Sequence, residues 1–320
     1  MILALRFICL LLLTLSASAQ DFDEIPMGIA KNNYQFNGNV QSVIQHTYAP
    51  AKDALIYMGD KKWERDAGWT KMETKELVID SSGHVLQLKA AVLVDSKKAG
   101  ISNSKTQMHY AKEKLVAIVQ WQEEKRIDSI RLHYKRVGPL DNYTVYNHKH
   151  KIQYKVTYAY DRNGRVITVR KKDESNYPVA MVKYKYSQNK LIEKQYFNRD
   201  FIHTDSRRYS DSKVSDSLYN SSFVLMDNTG KIKTGMTFVK DKDGAILEQS
   251  TLNSERQVTD YRKYQYDSRK EMAEASIFST TLQQNIVNKI SYDEQGNWTR
   301  KEVYHDDILF NLVERSLIYR

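Results

Sequence analysis

A short pattern recurs along this chain about every 26 residues, and it constrains the fold more than any other feature. In its clearest copies a tyrosine precedes an Asp-x-x-Gly segment, as at Tyr160-Asp161-Arg162-Asn163-Gly164 and Tyr292-Asp293-Glu294-Gln295-Gly296. Successive turns are indicated near positions 80, 111, 135, 161, 187, 210, 241, 267 and 293, with an extra turn at 227. This spacing accommodates two strands and two connections of ordinary length, so each repeat is predicted to be a β-hairpin.

Side chains alternate in the residues before each turn, as they do in half-buried strands. Tyr158 and Tyr160 point one way and Ala159 points the other. The turn aspartate is expected to accept hydrogen bonds from nearby backbone amides, and the glycine three residues later is expected to adopt a positive φ. Gly296 is therefore predicted to be required by its turn, whereas Gly235, between two copies, shows no such requirement.

The chain is predicted to be all-β, a long antiparallel meander of repeated β-hairpins in a single domain over residues 34–320. Residues 20–33 form an exposed lead, and an irregular insertion covers about 51–72. Segments 138–148 and 172–178 are expected to be longer loops. Nine or ten hairpins are too few for a large closed shell, so the sheet is expected to be curled or open.

The N-terminus has the features of a secretory signal. Arg6 is followed by an apolar run, and Ala17-Ser18-Ala19 supplies the small residues that a signal peptidase reads, so residues 1–19 are predicted to be removed. The run is shorter than a transmembrane helix requires, and no later segment is apolar enough to span a membrane. Cys9, the single cysteine, lies within the signal, so the mature chain has no disulfide. The protein is therefore expected to be exported, either to the periplasm or to the extracellular cell surface.

The Tyr-Asp-x-x-Gly pattern resembles the YD, or RHS-like, repeats of secreted proteins from Gram-negative bacteria. Residues 292–301 and the returning strand 313–319 resemble the last unit of such proteins, and residues 38–43 with Tyr48 resemble their first unit. The resemblance runs from about residue 34 to the C-terminus, with the irregular insertion outside it. It implies an architecture of repeated hairpins and no particular activity.

Positive charge is concentrated in one part of the chain. The formal net charge is +10, and removal of Arg6 with the signal leaves +9. Between positions 149 and 194 twelve lysines and arginines face four acids, a net charge of +8. Interleaved tyrosines make this segment a candidate surface for an acidic polymer. The alternative is a solvated face that prevents edge-to-edge pairing. The candidate ligand-binding residues are Lys149, Lys151, Lys155, Arg165, Arg170, Lys183, Lys185 and Lys194.

Sequence motifs for catalysis or cofactor binding are missing. The chain has no His-Glu-x-x-His, P-loop, Gly-x-Ser-x-Gly or Gly-x-Gly-x-x-Gly motif, so no catalytic residue, metal or cofactor is predicted. Aspartates recur in every clear turn, which favours turn capping over a single active site.

The leading hypothesis is an exported, non-enzymatic binding or scaffold protein of the bacterial envelope. Its partner would be an anionic polysaccharide, lipopolysaccharide or another envelope component, and no specific nucleic-acid signal is present. The alternative is an envelope glycan-processing enzyme with its site on the irregular loops.

Overall fold

The computed structural model describes residues 36–50, 69–82, 84–95, 100–136, 138–279 and 283–320. The predicted signal, the exposed lead and residues 51–68 of the insertion lie outside the described residues. Regular structure in the described part is all β-strand. The strands are β1 (Val40–Pro50), β2 (Trp69–Ile79), β3 (Val85–Asp95), β4 (Gly100–Ala111), β5 (Lys114–Gln122), β6 (Lys125–Tyr134), β7 (Leu140–Asn147), β8 (Ile152–Tyr160), β9 (Val166–Asp173), β10 (Pro178–Ser187), β11 (Lys190–Phe197), β12 (His203–Lys213), β13 (Leu218–Asp227), β14 (Ile232–Asp241), β15 (Ile246–Leu252), β16 (Val258–Tyr266), β17 (Met272–Ser279), β18 (Gln283–Tyr292), β19 (Trp298–His305) and β20 (Ile308–Tyr319).

Each strand pairs antiparallel with the next one in the chain, and the last strand pairs with the first. Ile44 of β1 lies opposite Glu76 of β2 on one side and opposite Ser316 of β20 on the other. The twenty strands therefore form a closed barrel. The predicted all-β meander is confirmed, but the expectation of a curled or open sheet is wrong. Ten hairpins suffice for closure, because twenty strands about 4.8 Å apart form a ring about 96 Å in circumference, and closure pairs both sheet edges.

Several segments that were expected to be irregular are strands. Trp69 begins β2, so the end of the predicted insertion belongs to the sheet. Residues 140–147, expected to be a loop, form β7, because Tyr143 and Val145 supply buried apolar side chains that outweigh the turn signal of the preceding Gly-Pro pair. The turn expected near residue 210 is also misplaced, since that position lies inside β12.

The turns have the chemistry predicted for Asp-x-x-Gly. Asp161 Oδ1 accepts hydrogen bonds from the amides of Asn163 (2.9 Å) and Arg165 (3.0 Å). The hydrogen bond from the Arg165 amide is the main cause that lowers the pKa of the Asp161 carboxyl. A positive φ between 77° and 88° is found at the fourth position in Gly164, Gly230, Gly244 and Gly296. Each of these turns joins its strands with a bulge, as in a three- to five-residue hairpin loop.

The turns lie at the two ends of the barrel. We call the end that holds the turns after even-numbered strands the first rim, and the end that holds the turns after odd-numbered strands the second rim. The predicted 26-residue spacing follows the first rim, where turns such as 161–165, 241–245, 267–271 and 293–297 lie. Turns of the second rim more often begin with asparagine, as at Asn147, Asn198 and Asn253.

Close packing against a neighbouring strand constrains Gly235. It lies within β14 and is buried, and a Cβ atom there would be 3.1 Å from the carbonyl oxygen of Phe223 and 3.2 Å from Cγ1 of Val224. Gly235 has no positive φ, as expected, but its position has a different requirement, because the neighbouring strand β13 approaches it closely. Gly296, with a φ of +84°, is required by its turn as predicted.

The buried side chains pack between neighbouring strands of the ring. The substantial strand-to-strand contacts of the described residues all join neighbours. One core cluster spans β5 to β9 and consists of Ile118, Ile130, Leu132, Tyr143, Val145, Val156 and Val169. A second cluster spans β1 to β4 and consists of Val40, Val43, Leu77, Ile79, Val85 and Met108. No helix in the described part of the chain is long and apolar enough to cross a bilayer.

Candidate functional site

Strand pairing brings cations from β6 to β12 onto one face of the barrel wall. Residues directly opposite each other in a ladder share a face, as do alternate residues of one strand. Lys155 lies opposite Lys172, and Lys183 lies opposite Thr168, which alternates with Arg170. We call the resulting set the basic face: it consists of Arg131, Lys155, Arg170, Lys172, Lys183, Lys185 and Arg208.

Glu193 is the one acid on the basic face within the described residues of β6 to β12. Its carboxylate lies 2.9 Å from Lys185 Nζ and 3.6 Å from Arg208 Nε. Burial alone would raise the pKa of Glu193, but the hydrogen bond and charge of Lys185, with further contributions from Ser206 and Arg208, outweigh it and lower the pKa. Glu193 therefore neutralises part of the charge of these two cations. The other five have no ion pair within the described chain.

The reverse of the same wall is buried. Val156 and Val169, the sequence neighbours of Lys155 and Arg170, are 0% exposed in the core cluster of β5 to β9. The cations thus project from strands that are fixed by packing on the other side. Like charges directly opposite each other, as in the Lys155–Lys172 pair, destabilise a sheet. The basic face therefore adds charge at a small cost to the fold.

Four of the eight predicted site residues lie on the basic face: Lys155, Arg170, Lys183 and Lys185. Lys149 and Lys151 are exposed in the turn between β7 and β8, on the second rim. The backbone amides of both donate to Asn147 Oδ1, at 2.9 and 3.1 Å. The turn therefore places two further cations on the second rim, beside strand β8 of the basic face.

The remaining two predicted residues do not belong to the basic face. Arg165 lies in a first-rim turn, where it binds the Asp161 carboxylate at 2.6 Å and stacks 4.8 Å from the ring centroid of Tyr186. Lys194 is only 8% exposed on the opposite face of the wall, with Nζ 5.2 Å from the ring centroid of Tyr184. The Arg165 side chain joins two neighbouring hairpins, whereas Lys194 packs within the β10–β11 hairpin.

Three residues of the basic face were not among the predicted site residues. Arg131 and Arg208 lie outside the 149–194 segment, and Lys172 lay in a segment expected to be a loop. The guanidinium of Arg131 stacks 5.3 Å from the ring centroid of Tyr146. Only the cross-strand register brings these cations together, and the register is not readable from charge counts along the chain.

A small cleft at the first rim lacks the paired carboxylates of a glycosidase site. It has a volume of about 230 Å³ and is lined by Phe36, Gly38, Asn39, Val40, Ile79, Asp80, Ser81 and Ser82. Its one carboxylate, Asp80, accepts hydrogen bonds from the amides of Ser82 and His84 and pairs with the His84 ring at 3.0 Å. Glycoside hydrolysis usually needs two carboxylates on either side of the scissile bond, so this cleft does not supply that chemistry. Within the described part of the chain no group of three or more His, Cys, Asp or Glu residues could hold a metal ion.

Comparisons with known proteins do not assign the chain to a family. No protein-family model matches it, and no curated protein matches its sequence. A porin-like protein from Bacteroides uniformis is 9% identical with a TM-score of 0.36, over 88% of this chain and 98% of that one. A porin-like protein from Bacteroides vulgatus is 12% identical with a TM-score of 0.27, over 68% and 94% of the two chains. A DUF1329 family protein from Desulfovibrio piger is 9% identical with a TM-score of 0.18, over 88% and 86%. Likenesses of this size carry no argument about function.

Proposed function

We propose that this chain is an exported, non-enzymatic binding protein of the bacterial envelope, and that its basic face binds an anionic envelope component. The observation that carries the proposal is the charge of that face, where seven cations of β6 to β12 meet a single acid, Glu193. Five of the cations have no carboxylate partner within the described chain. Export is proposed from the signal-like N-terminus.

The spacing of the cations suits a repeating anion. Neighbouring strands are about 4.8 Å apart, so residues opposite each other place their charges at steps comparable with the phosphates or uronates of a polymer. Arg131 and Lys183 also lie 5.3 and 5.0 Å from the rings of Tyr146 and Phe197, which adds apolar contact area beside the charge. We further propose that the hairpins are a short YD-like repeat array, which the Asp-x-x-Gly turns support.

The test is binding of the purified protein to lipopolysaccharide, an acidic polysaccharide and duplex DNA. The test variant is Lys155→Glu/Lys183→Glu, since neither lysine has an ion pair within the described chain. The matched control is Lys231→Glu/Lys242→Glu, which makes the same change in net charge at exposed turn positions of β13–β14 and β14–β15.

We expect the wild type to bind at least one envelope polyanion and to lose affinity by roughly a hundredfold between about 50 and 200 mM salt, because about five anionic contacts release their counterions. The test variant should bind about tenfold or more weakly at fixed salt, while the control keeps most of its affinity. Equal losses in the two variants would show that net charge matters and the basic face does not. The absence of binding by the wild type would refute the proposal.

A further inference from the structure

Exposed apolar side chains cluster where the basic face reaches the second rim. The turns that follow β9 and β11 are neighbours in the ring, because β10 and β11 pair from Met181 opposite Phe197. Tyr177 is 61% exposed in the first of these turns, and Phe201 and Ile202 are 52% and 57% exposed in the second. We call these three residues the apolar tips.

Phe201 has an unfavourable backbone conformation for a bulky residue. It occupies the fourth place of the Asn198 turn with a φ of +57°, where other turns have glycine or a polar residue such as Asn176. Positive φ is unfavourable for a bulky side chain, and half of this ring faces water. The fold gains no backbone relaxation and only partial burial from Phe201, so the residue points to a role outside the fold.

The apolar tips are continuous with the cations of the basic face. Lys172 immediately precedes the turn that carries Tyr177, and Lys183 stacks over the ring of Phe197, which ends β11 just before the Phe201 turn. The exposed acids of these two turns are Glu174 and Asp200. The seven cations of the basic face outnumber them.

A surface that combines exposed rings with unneutralised cations complements an anionic lipid leaflet, where apolar groups enter the acyl boundary and cations bind headgroup phosphates. A soluble polyanion offers no apolar layer to the tips. Resting on the proposed function, we propose that the anionic partner is a lipid leaflet, with the apolar tips inserted and the basic face against the headgroups.

The test measures cosedimentation of the protein with vesicles of phosphatidylcholine alone and of phosphatidylcholine with about one-third phosphatidylglycerol. Binding to a soluble acidic polysaccharide is measured in parallel. The test variant is Phe201→Ser/Ile202→Ser. The matched control is Val214→Ser, which removes a 55% exposed apolar side chain from a first-rim turn. Thermal melts of both variants establish that they are folded.

We expect the wild type and Val214→Ser to bind the anionic vesicles and not the neutral ones. The tip variant should bind the anionic vesicles at least about tenfold more weakly while keeping its affinity for the soluble polysaccharide. If the tip variant binds vesicles as well as the wild type, or if the wild type binds only the polysaccharide, the lipid inference is wrong and the proposed function stands. If the wild type binds neither vesicles nor polysaccharide, both are wrong.

Discussion

The residue at the fourth position of turns like those at Asp161 and Asn198 has a positive φ, and its identity differs between turns that serve the fold alone and the turn that we assign to binding. Gly164 and Phe201 have similar backbone conformations, with φ of +77° and +57°, in turns of opposite rims. The space around Gly164 is open, since a Cβ atom there would meet no atom within 4 Å. Strain at this position therefore comes from the backbone conformation alone, which makes it a clean place to measure the cost.

Gly164→Val is expected to lower the free energy of unfolding by about 1–2 kcal/mol, because a β-branched residue is strained at positive φ. Gly164→Asn should cost clearly less, since asparagine tolerates this conformation and Asn176 already adopts it. Urea unfolding of the two variants gives the comparison. Equal losses would mean that positive φ is not what the turn demands.

Turn residues were also the part of the structure most readable from sequence. The residue types of Asp161 and Gly164 are enough to predict both the amide hydrogen bonds and the positive φ. The Asn198 turn has the same hydrogen bonds but carries Phe201 at the fourth position, so it does not match the Asp-x-x-Gly pattern. The pattern predicted the second-rim turn at Asp227, but the Asn198 turn was missed for this reason.

At the scale of strands and hairpins, tyrosines join one repeat to the next along the first rim. A tyrosine at or next to the end of an even-numbered strand donates its hydroxyl to a carbonyl near the start of the preceding strand. Tyr186 donates to Val166 at 2.9 Å, and Tyr266 donates to Ile246 at 2.8 Å. The Arg165 guanidinium of the β8–β9 turn stacks on Tyr186, so one ring serves two contacts.

Tyr186→Phe is expected to lower the free energy of unfolding by about 0.5–1.5 kcal/mol, because it removes a part-buried hydrogen bond and leaves the Val166 carbonyl without its donor. Tyr177→Phe, at a 61% exposed position, should change stability by less than about 0.5 kcal/mol. Chemical denaturation of both variants measures the difference. A Tyr186→Phe variant as stable as Tyr177→Phe would contradict the assigned role of the hydroxyl.

The orientation of individual strands was predictable only where the alternation was clear. Apolar and charged residues alternate in β10, so the sequence predicts that Tyr184 and Lys185 lie on opposite faces. In β11 both faces mix apolar and charged residues, so nothing in the sequence indicates that Glu193 lies among the cations while Lys194 lies on the opposite face. Lys194 was therefore assigned to the wrong face, whereas Lys149, Lys151 and Arg165 lie in turns.

At the scale of the whole molecule, closure of the ring could not be predicted from the sequence. Every hairpin resembles its neighbours, and closure depends on the small rotation between successive hairpins. The seam is specific: Asn297 Nδ2 donates to the carbonyl of Asn37 and to the hydroxyl of Tyr319, each at 2.8 Å. These contacts join the start of the described chain to its last strand.

Closure also gives the barrel distinct sectors. The core cluster of β5 to β9 lies behind most of the basic face, so the packed wall and the charge coincide in one part of the ring. Other sectors carry acids on the same face, such as Glu274 of β17 and Glu302 of β19. We therefore expect one sector, rather than the whole barrel, to contact the anionic partner.

The location of that contact can be measured with single-cysteine probes, since Cys9 is the only cysteine of the chain. Cys9→Ser is combined with Ala159→Cys, on the basic face opposite Thr168, or with Gln265→Cys, an exposed position on the same face of the wall in β16. Each variant carries a fluorophore, and quenching by a water-soluble quencher is compared with and without saturating anionic partner. The probe at residue 159 should become shielded while the probe at residue 265 remains accessible. Shielding at residue 265 alone, or no shielding at residue 159 when the partner is bound, would contradict the assignment of the binding surface.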